Sequence, residues 1–207
     1  MENNPHKSII VIVCGGIGAG KSMVTRLAAY SGYRVYDCDS RAKALMQREP
    51  LMHLLQEIVG EGLYTDGVLN RAYLASRIFT DSELRMKVNT AVHSAVREDI
   101  RHEITRLPEG RDKILFVETA IPTTSHLDAI ADTLCLVEAP QEMRIERVLR
   151  RNAELTRGDV AHRIAAQEAE YADLPNEKIF RIDNSGTNSL ISQFNALIEK
   201  LNNIYHA

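Results

Sequence analysis

The chain has 207 residues, of which 44% are hydrophobic and 26% are charged, and its formal net charge is −3. This balance gives no indication of a nucleic-acid surface or a basic membrane patch, and no apolar run approaches the roughly 20 residues of a membrane-spanning helix. Residues 1–7 lack the apolar stretch of a signal peptide, and Cys14, Cys38 and Cys135 show no metal or redox spacing. Composition therefore predicts a cytoplasmic enzyme, and it leaves the oligomeric state open.

Apolar runs alternate with helical patterns along the chain, which predicts an α/β fold with a five-stranded parallel sheet flanked by helices. The runs are almost continuously apolar, as expected for strands that are buried on both faces. The five predicted strands are residues 9–13, 34–36, 114–117, 134–137 and 179–182.

The first strand leads into a glycine-rich turn, residues 15–22, which satisfies the pattern G-x-x-x-x-G-K-[ST]. Glycines let the backbone curl so that successive N–H groups face a phosphate chain, and the next helix adds the positive end of its dipole. The turn predicts that Lys21 contacts the β/γ-phosphates of ATP and that the Ser22 hydroxyl binds Mg²⁺. The predicted phosphate-binding residues are Gly18, Ala19, Gly20, Lys21, Ser22 and Met23. The alternative is a glycine-rich turn that binds no ligand.

Helical patterns fill the stretches between the strands. The helix after the turn is predicted to end near Gly32 and to bury Met23, Val24, Leu27 and Ala28. Roughly 75 residues separate the second and third strands, too many for a simple crossover, so residues 40–108 are predicted to form a helical insertion within a single domain. Thr80, with Glu83 reaching back, is predicted to cap a helix that stops at Pro108.

The second strand runs into Asp37, Cys38 and Asp39. If the chain stays extended there, both carboxylates face the cleft at the carboxyl end of the strand, because side chains two residues apart point the same way. One carboxylate would take the proton from an acceptor hydroxyl, and the other would orient Mg²⁺ through water. Asp37, nearer to the strand, is the predicted base. The alternative is that an aspartate caps the next helix, which suits Asp39.

The third strand ends in Glu118. Four apolar residues followed by an acid are typical of a strand whose carboxylate holds hydrated Mg²⁺ beside a phosphate-binding turn. Many buried strands also end in an acidic residue, so the pattern is informative only together with the glycine-rich turn. In that combination it predicts Glu118 and Ser22 as the metal ligands.

The segment after the fourth strand, about residues 141–172, is rich in arginine and is predicted to break into two helices near a capped start at residues 156–159. Its arginines are Arg144, Arg147, Arg150, Arg151, Arg157 and Arg163. Guanidinium groups neutralise charge on a transferring phosphoryl group, and a mobile lid excludes water from it. A solvated helix face is the alternative for each arginine alone, but at least one of Arg147 and Arg151 is predicted to be catalytic. A last helix is predicted at about residues 188–203.

Several signatures, in this order, resemble those of the dephospho-CoA kinase family over nearly the whole chain. They are residues 15–22 (GGIGAGKS, family GGIGSGKS), residues 33–39 (a strand ending in D-x-D), residues 67–79 (G-x-L-[DN]-R-x-x-L…IF), residues 163–167 (R-I-x-x-Q) and residues 183–186 (D-N-x-G). The glycine-rich turn alone is shared by many families, but the set is far more specific.

The resemblance implies a three-layer P-loop kinase fold and an enzyme that uses ATP and Mg²⁺ to phosphorylate the ribose 3′-hydroxyl of dephospho-coenzyme A, the last step of coenzyme A biosynthesis. It implies that Asp37 is the base, that the insertion binds the acceptor and that the arginine-rich segment is a lid. It also implies that Asn184 and Gly186 neighbour the adenine of ATP.

The chain departs from the family pattern at three places. Residues 93–94 are His-Ser instead of His-Pro, residues 120–124 (AIPTT) replace the run P-L-L-F-E that lines the acceptor side, and Met23 replaces a threonine. Two alternatives therefore remain: a P-loop kinase of a nucleoside, nucleotide or sugar, and a nucleotide-dependent switch or catalytically weakened ATP-binding protein. The chain has no N-K-x-D tetrapeptide, which GTPase-type switches need.

Overall fold

The computed structural model describes residues 8–107 and 113–206. It divides into two compact units, of which one is Asp37–Thr105 and the other comprises the residues up to Tyr36 and those from Arg106 onward. The strands are β1 (Ile9–Cys14), β2 (Arg34–Asp37), β3 (Tyr64–Thr65), β4 (Val68–Leu69), β5 (Ile114–Glu118), β6 (Thr133–Glu138) and β7 (Ile179–Asp183). The helices are α1 (Lys21–Tyr30), α2 (Cys38–Leu45), α3 (Leu51–Val59), α4 (Arg71–Thr80), α5 (Ser82–Thr105), α6 (Gln141–Arg151), α7 (Arg157–Ala166), α8 (Ala169–Ala172) and α9 (Leu190–His206).

The main sheet is parallel and has the strand order β2-β5-β1-β6-β7. The central strand β1 pairs on both sides, so that Ile12 lies opposite Val117 of β5 and Leu134 of β6. All five predicted strands are confirmed, and each extends one residue further at its carboxyl end than predicted. Four of these added residues are acidic: Asp37, Glu118, Glu138 and Asp183. The α/β class predicted from the alternating pattern is therefore confirmed.

Helices α1 and α9 pack on one face of this sheet, where Val24 and Leu197 join Val11 and Phe116 in a buried cluster. The prediction that Met23 faces inward is wrong, because its side chain is 48% exposed. The buried face of α1 consists of Val24, Thr25 and Ala28, which shifts the inward stripe by one residue and brings a hydroxyl into the core.

Gly32 ends α1 as predicted. It has φ +89°, and its N–H donates to the carbonyl of Ala29 while that of Tyr33 donates to Ala28. This left-handed residue just beyond the helix lets the chain turn back into β2.

The unit Asp37–Thr105 has its own apolar core, in which residues of α3 and α5 such as Leu55, Val59 and Val88 are buried. It also contains an antiparallel hairpin of β3 and β4, which the sequence analysis missed. Asp66 and Gly67 form its turn with φ values of +51° and +76°. Asp-Gly is a strong signal for such a two-residue turn, and it is present in the sequence.

The predicted cap of α5 is wrong. Thr80 is the last residue of α4, and its hydroxyl lies within 3.5 Å of the carbonyls of Ser76 and Arg77. Asp81 caps α5 instead, because its carboxylate accepts the N–H of Leu84 at 2.9 Å. Helix α5 ends at Thr105, and the predicted stop at Pro108 lies outside the described residues.

An ion pair joins α2 to α5 within this unit. The Arg41 guanidinium donates to both carboxylate oxygens of Asp99 at 2.6–2.9 Å and lies 3.5 Å from Glu103. A forked pair of this kind fixes orientation as well as distance, so the start of α2 is held against the longest helix of the unit.

The arginine-rich segment breaks into α6, α7 and α8. The predicted start of its second helix is confirmed, since Thr156 and Asp159 form a reciprocal capping box. Helices α6 and α7 bury a small cluster of Ile145, Val148, Val160 and Ile164, against which Ile17 packs. The predicted last helix is confirmed as α9. No helix among the described residues has the length and apolarity that crossing a membrane requires.

Candidate active site

The glycine-rich turn, residues 15–20, connects β1 to α1 and is here called the phosphate loop. Gly20 has φ +105° and occupies the N-cap position of α1, where it has no side chain to cover the first amides of the helix. A Cβ atom at Gly20 would lie 2.0 Å from Nδ2 of Asn184, and one at Gly18 would lie 2.5 Å from the carbonyl oxygen of Arg144. The backbone is therefore enclosed by its neighbours on one side, and the uncapped helix start suits an anion.

Lys21, Ser22 and Met23 form the first turn of α1. The Lys21 ammonium donates to the carbonyl of Gly15 at 2.8 Å and so lies back along the loop. Ser22 and Met23 are exposed. A cation, a hydroxyl and the first amides of a helix thus meet at one place, which is the donor set that a triphosphate and its metal ion require.

Arg147 on α6 joins the phosphate loop to the turn after β7. Its guanidinium donates to the carbonyl of Asn184 at 2.8 Å and lies 3.3–3.4 Å from those of Gly18 and Ala19. The Asn184 side chain completes the link by donating to the carbonyl of Ala19 at 2.8 Å. The sequence predicted that Arg147 neutralises charge on the phosphoryl group. In the structure, the partners of its guanidinium group are backbone carbonyls. Arg151, four residues later, is exposed at the end of α6.

Two further residues hold the loop, and sequence reasoning assigned neither a role. Arg144 donates from Nε to the carbonyl of Ile17 at 2.9 Å, while the side-chain oxygen of Gln167 accepts the N–H of Ile17 at 2.7 Å. Burial lowers the pKa of the Arg144 guanidinium. Gln167 is the last residue of the R-I-x-x-Q signature, and this was the signal that could have pointed to it.

The carboxylate at the end of β5 is oriented from α1. The Thr25 hydroxyl donates to Glu118 at 2.8 Å, and Thr25 is only 5% exposed. Ser22 lies three residues before Thr25, on the same face of α1. A carboxylate and a hydroxyl suit Mg²⁺, which binds few protein oxygens and keeps several waters. Within residues 8–107 and 113–206, no three His, Cys, Asp or Glu side chains gather into a metal cluster.

The backbone around Asp37 does not have the extended conformation that was predicted. The chain is not extended through Asp37, Cys38 and Asp39, because α2 begins at Cys38 and Asp37 is its N-cap, accepting the N–H of Ser40 at 3.0 Å. Asp39, the expected cap, lies in the first turn of α2 instead. The premise that both carboxylates point the same way is therefore wrong. Both are exposed, and Asp37 keeps a second oxygen for other partners.

The turn after β7 is ordered by its own side chains. The Asp183 carboxylate accepts the N–H and the hydroxyl of Ser185, both at 2.9 Å, and these bonds lower its pKa, the side-chain bond most. Gly186 follows with φ +90° and is exposed. Asn184 is thus presented by a structured turn, with its N–H donating to the carbonyl of Glu138 at 2.8 Å.

Burial determines the protonation state of the Cys14 thiol, which lies beside the phosphate loop. Cys14, the residue before Gly15, is fully buried, and this raises its pKa to about 12 despite the nearby Lys21. The thiol is therefore protonated at physiological pH and acts as a small apolar side chain rather than a nucleophile.

Comparison with known proteins agrees with this geometry. The family model described as CoaE, dephospho-CoA kinase, matches residues 9–189. The chain belongs to the dephospho-CoA kinase family. Curated dephospho-CoA kinases of Porphyromonas gingivalis and Bacteroides fragilis are 34% and 33% identical to it, over 79% and 92% of this chain and 80% and 92% of theirs. A crystal structure of a Thermus thermophilus protein has a TM-score of 0.74 at 28% identity and covers 95% of this chain and 97% of its own.

Membership of the dephospho-CoA kinase family makes the chain an ATP-using phosphotransferase with a small-molecule acceptor. The P-loop kinase fold that the family resemblance implied is therefore confirmed as well. The family match also includes the segment with the altered run 120–124, so the departure lies inside the kinase fold rather than at its edge.

Proposed function

We propose that the protein transfers the γ-phosphoryl group of ATP to the ribose 3′-hydroxyl of dephospho-coenzyme A, giving coenzyme A and ADP in the last step of coenzyme A biosynthesis. The observation that carries this proposal is the phosphate loop. Its backbone is held by Arg144, Arg147 and Asn184, and it opens a helix that has no side chain over its first amides. Family membership supports the choice of acceptor.

The phosphates of ATP lie on Gly18 to Met23, where amides and the Lys21 ammonium neutralise them. The Ser22 hydroxyl and the Glu118 carboxylate would hold Mg²⁺, which would supply further positive charge to the phosphates. The turn of Asn184 and Gly186 neighbours the adenine. This assignment is supported by the bonds that tie Asn184 to the loop residue Ala19 and to Arg147.

Asp37 accepts the proton of the attacking hydroxyl. One of its oxygens is used by the cap of α2, and the other remains available to a substrate hydroxyl. The Arg41–Asp99 pair supports this role, because it fixes the helix that Asp37 begins. Asp39 is the less favoured base, since it belongs to the helix itself.

Positive charge for the transferring group comes from Lys21 and from the lid arginines Arg147 and Arg151. Arg147 lies beside the loop in the structure, whereas Arg151 is exposed and contributes only if the lid closes over the substrates. A closed lid also keeps water away from the γ-phosphate, which prevents hydrolysis of ATP.

One observation favours a different acceptor. Residues 120–124 lack the glutamate of the family run, and the hydroxyls of Thr123 and Thr124 are bonded to Glu170. A kinase for a nucleoside, nucleotide or sugar is therefore the second candidate.

The test is ADP release, measured with dephospho-coenzyme A, nucleosides, nucleoside monophosphates and sugars as acceptors. Dephospho-coenzyme A should give the highest kcat/KM, and equal or higher turnover with another acceptor would overturn the assignment. ATP binding without transfer to any of them would identify a nucleotide-binding protein instead. Asp37→Asn should lower kcat by about 10²–10⁴-fold, while the control Asp39→Asn should keep most activity. Near-normal kcat in Asp37→Asn would remove it as the base.

A further inference from the structure

A short segment that runs from the end of α7 into α8 contacts two parts of the enzyme that are far apart in the chain. Residues 167–171, here called the bridging segment, contact the phosphate loop through Gln167 and through a hydrogen bond of the Tyr171 hydroxyl with the backbone of Gly15. They contact the turn after β5, residues 119–125, through Glu170 and Tyr171. The bridging segment thus links the ATP half of the proposed site to the region in which this chain departs from its family.

At the phosphate loop, the contacts converge on one residue. The N–H of Ile17 donates to the side chain of Gln167 at 2.7 Å, and its carbonyl accepts from Arg144 at 2.9 Å. The Ile17 side chain packs against the apolar cluster of α6 and α7. Both peptide groups of Ile17 and its side chain are therefore oriented by the lid, one residue before Gly18.

At the other end, the bridging segment holds the turn after β5 at three positions. The Tyr171 hydroxyl donates to the carbonyl of Ala120 at 2.8 Å, and that of Thr123 donates to the carbonyl of Glu170 at 2.9 Å. The Glu170 carboxylate accepts both the N–H of Thr124, at 3.1 Å, and its hydroxyl. The hydroxyl donors in two of these bonds are Thr123 and Thr124, so both bonds depend on threonines of the altered run 120–124.

The turn itself is firmly built into the sheet. The N–H of Thr119 donates to the carbonyl of Val13 in β1 at 3.1 Å, and the Ser125 hydroxyl donates to the carbonyl of Ile121 at 2.5 Å. A turn that is fixed to the central strand gives the bridging segment a rigid attachment. Glu170 and Tyr171 thus fix the position of Gln167 relative to the main sheet.

We propose that Glu170 and Tyr171 are positioning residues for the phosphate loop, because they anchor the bridging segment from which Gln167 holds Ile17. The ATP readout of this proposal rests on the proposed function, since it takes the loop to be the ATP site. Its consequence is specific: a change at Glu170 weakens ATP binding only as long as Gln167 is present to transmit it.

The experiment is a double-mutant cycle of Gln167→Met and Glu170→Ala, with the dissociation constant of a fluorescent ATP analogue as the readout. Methionine keeps the length of glutamine but cannot accept the Ile17 N–H. Loss of one such bond should weaken binding about 5–10-fold, and Glu170→Ala should weaken it about threefold. In the double variant, binding should match that of Gln167→Met alone, because the route from Glu170 is already broken. The control Asp173→Asn removes one negative charge from an exposed residue two positions beyond the bridging segment and should change nothing.

A second readout needs no nucleotide. Hydrogen exchange at the Ile17 amide should become about 10-fold faster in Gln167→Met, and should also increase in Glu170→Ala. Thr124→Val, which removes the hydroxyl that donates to Glu170 and no contact to the phosphate loop, should show the same direction and serves if Glu170→Ala is poorly folded. Unchanged Ile17 exchange in Glu170→Ala and Thr124→Val would overturn the proposal, as would effects of Gln167 and Glu170 on ATP-analogue binding that multiply independently. If the wild type fails to bind the analogue while Ile17 exchange follows the prediction, the proposed function fails and the coupling stands.

Discussion

Replacing Thr25 by valine tests how the proposed metal ligand Glu118 is held. Valine has the shape of threonine but no hydroxyl, so Thr25→Val removes the 2.8 Å bond to the Glu118 carboxylate and little else. Hydrogen bonds to charged groups contribute about 1.5–3 kcal/mol. Water cannot readily replace this one from the side of α1, because Thr25 is only 5% exposed.

For a chain of this length, each kcal/mol corresponds to roughly 2–4 °C in Tm, so the variant should melt about 3–12 °C below the wild type. The Mg²⁺ concentration that gives half-maximal activity should also rise about fivefold, since a carboxylate that has lost its partner adopts several orientations. Circular dichroism melts and a magnesium titration of ADP release measure the two effects.

Thr25→Ser is the matched control, because it keeps the hydroxyl and loses only a methyl group. It should retain the magnesium response of the wild type and most of the Tm. If Thr25→Val instead melts with the wild type and keeps its magnesium dependence, the bond between Thr25 and Glu118 does not position the carboxylate, and the reasoning fails.

Three further predictions concern the contacts around the site. Arg147→Lys keeps the charge but lacks the fork that reaches the loop and the turn after β7 together, so KM for ATP should rise about 5–10-fold with a smaller change in kcat; equal KM values would contradict this. Ser185→Ala should raise the pKa of Asp183, which bonding to Ser185 holds below the value of 3.8 for a free aspartate. A carboxylate whose pKa is lower in the folded than in the unfolded state stabilises the protein above the unfolded-state pKa, and this stabilisation is lost as the pH falls through the folded-state pKa. The wild type should therefore keep the stabilisation from Asp183 down to a lower pH than the variant. An NMR titration of Asp183 measures the pKa in both proteins. Asp99→Asn should destabilise the helical unit by about 1–2 kcal/mol, because the pair with Arg41 is only partly screened by water; an unchanged urea midpoint would rule this out.

The main sheet could be predicted because each of its strands is a short apolar run. A strand that is buried on both faces can be recognised from such a run alone, without knowledge of its neighbours in space. The start of α2 could not be predicted in the same way. Strand alternation and helix capping both suit Asp37, and only the structure shows that the helix begins immediately after β2. The phosphate loop is equally local, since its glycines follow one another in sequence.

The residues that hold the site were harder to find. Gln167 and Ile17 are 150 positions apart, and Thr25 and Glu118 are 93 apart. Nothing in a single sequence pairs residues at such distances. The hairpin at Asp66 and Gly67 differs from these cases, because Gly67 indicates a turn in the sequence and only the two short strands beside it were not predicted.

The helical unit Asp37–Thr105 is one uninterrupted stretch of chain with its own buried cluster. A segment with both properties can be exchanged by a single insertion event that leaves the main sheet and the phosphate loop unchanged, because domain insertions at exposed junctions are generally tolerated. The region between the second strand and residue 106 can therefore be replaced by another continuous segment in one step, while the other unit keeps its sequence.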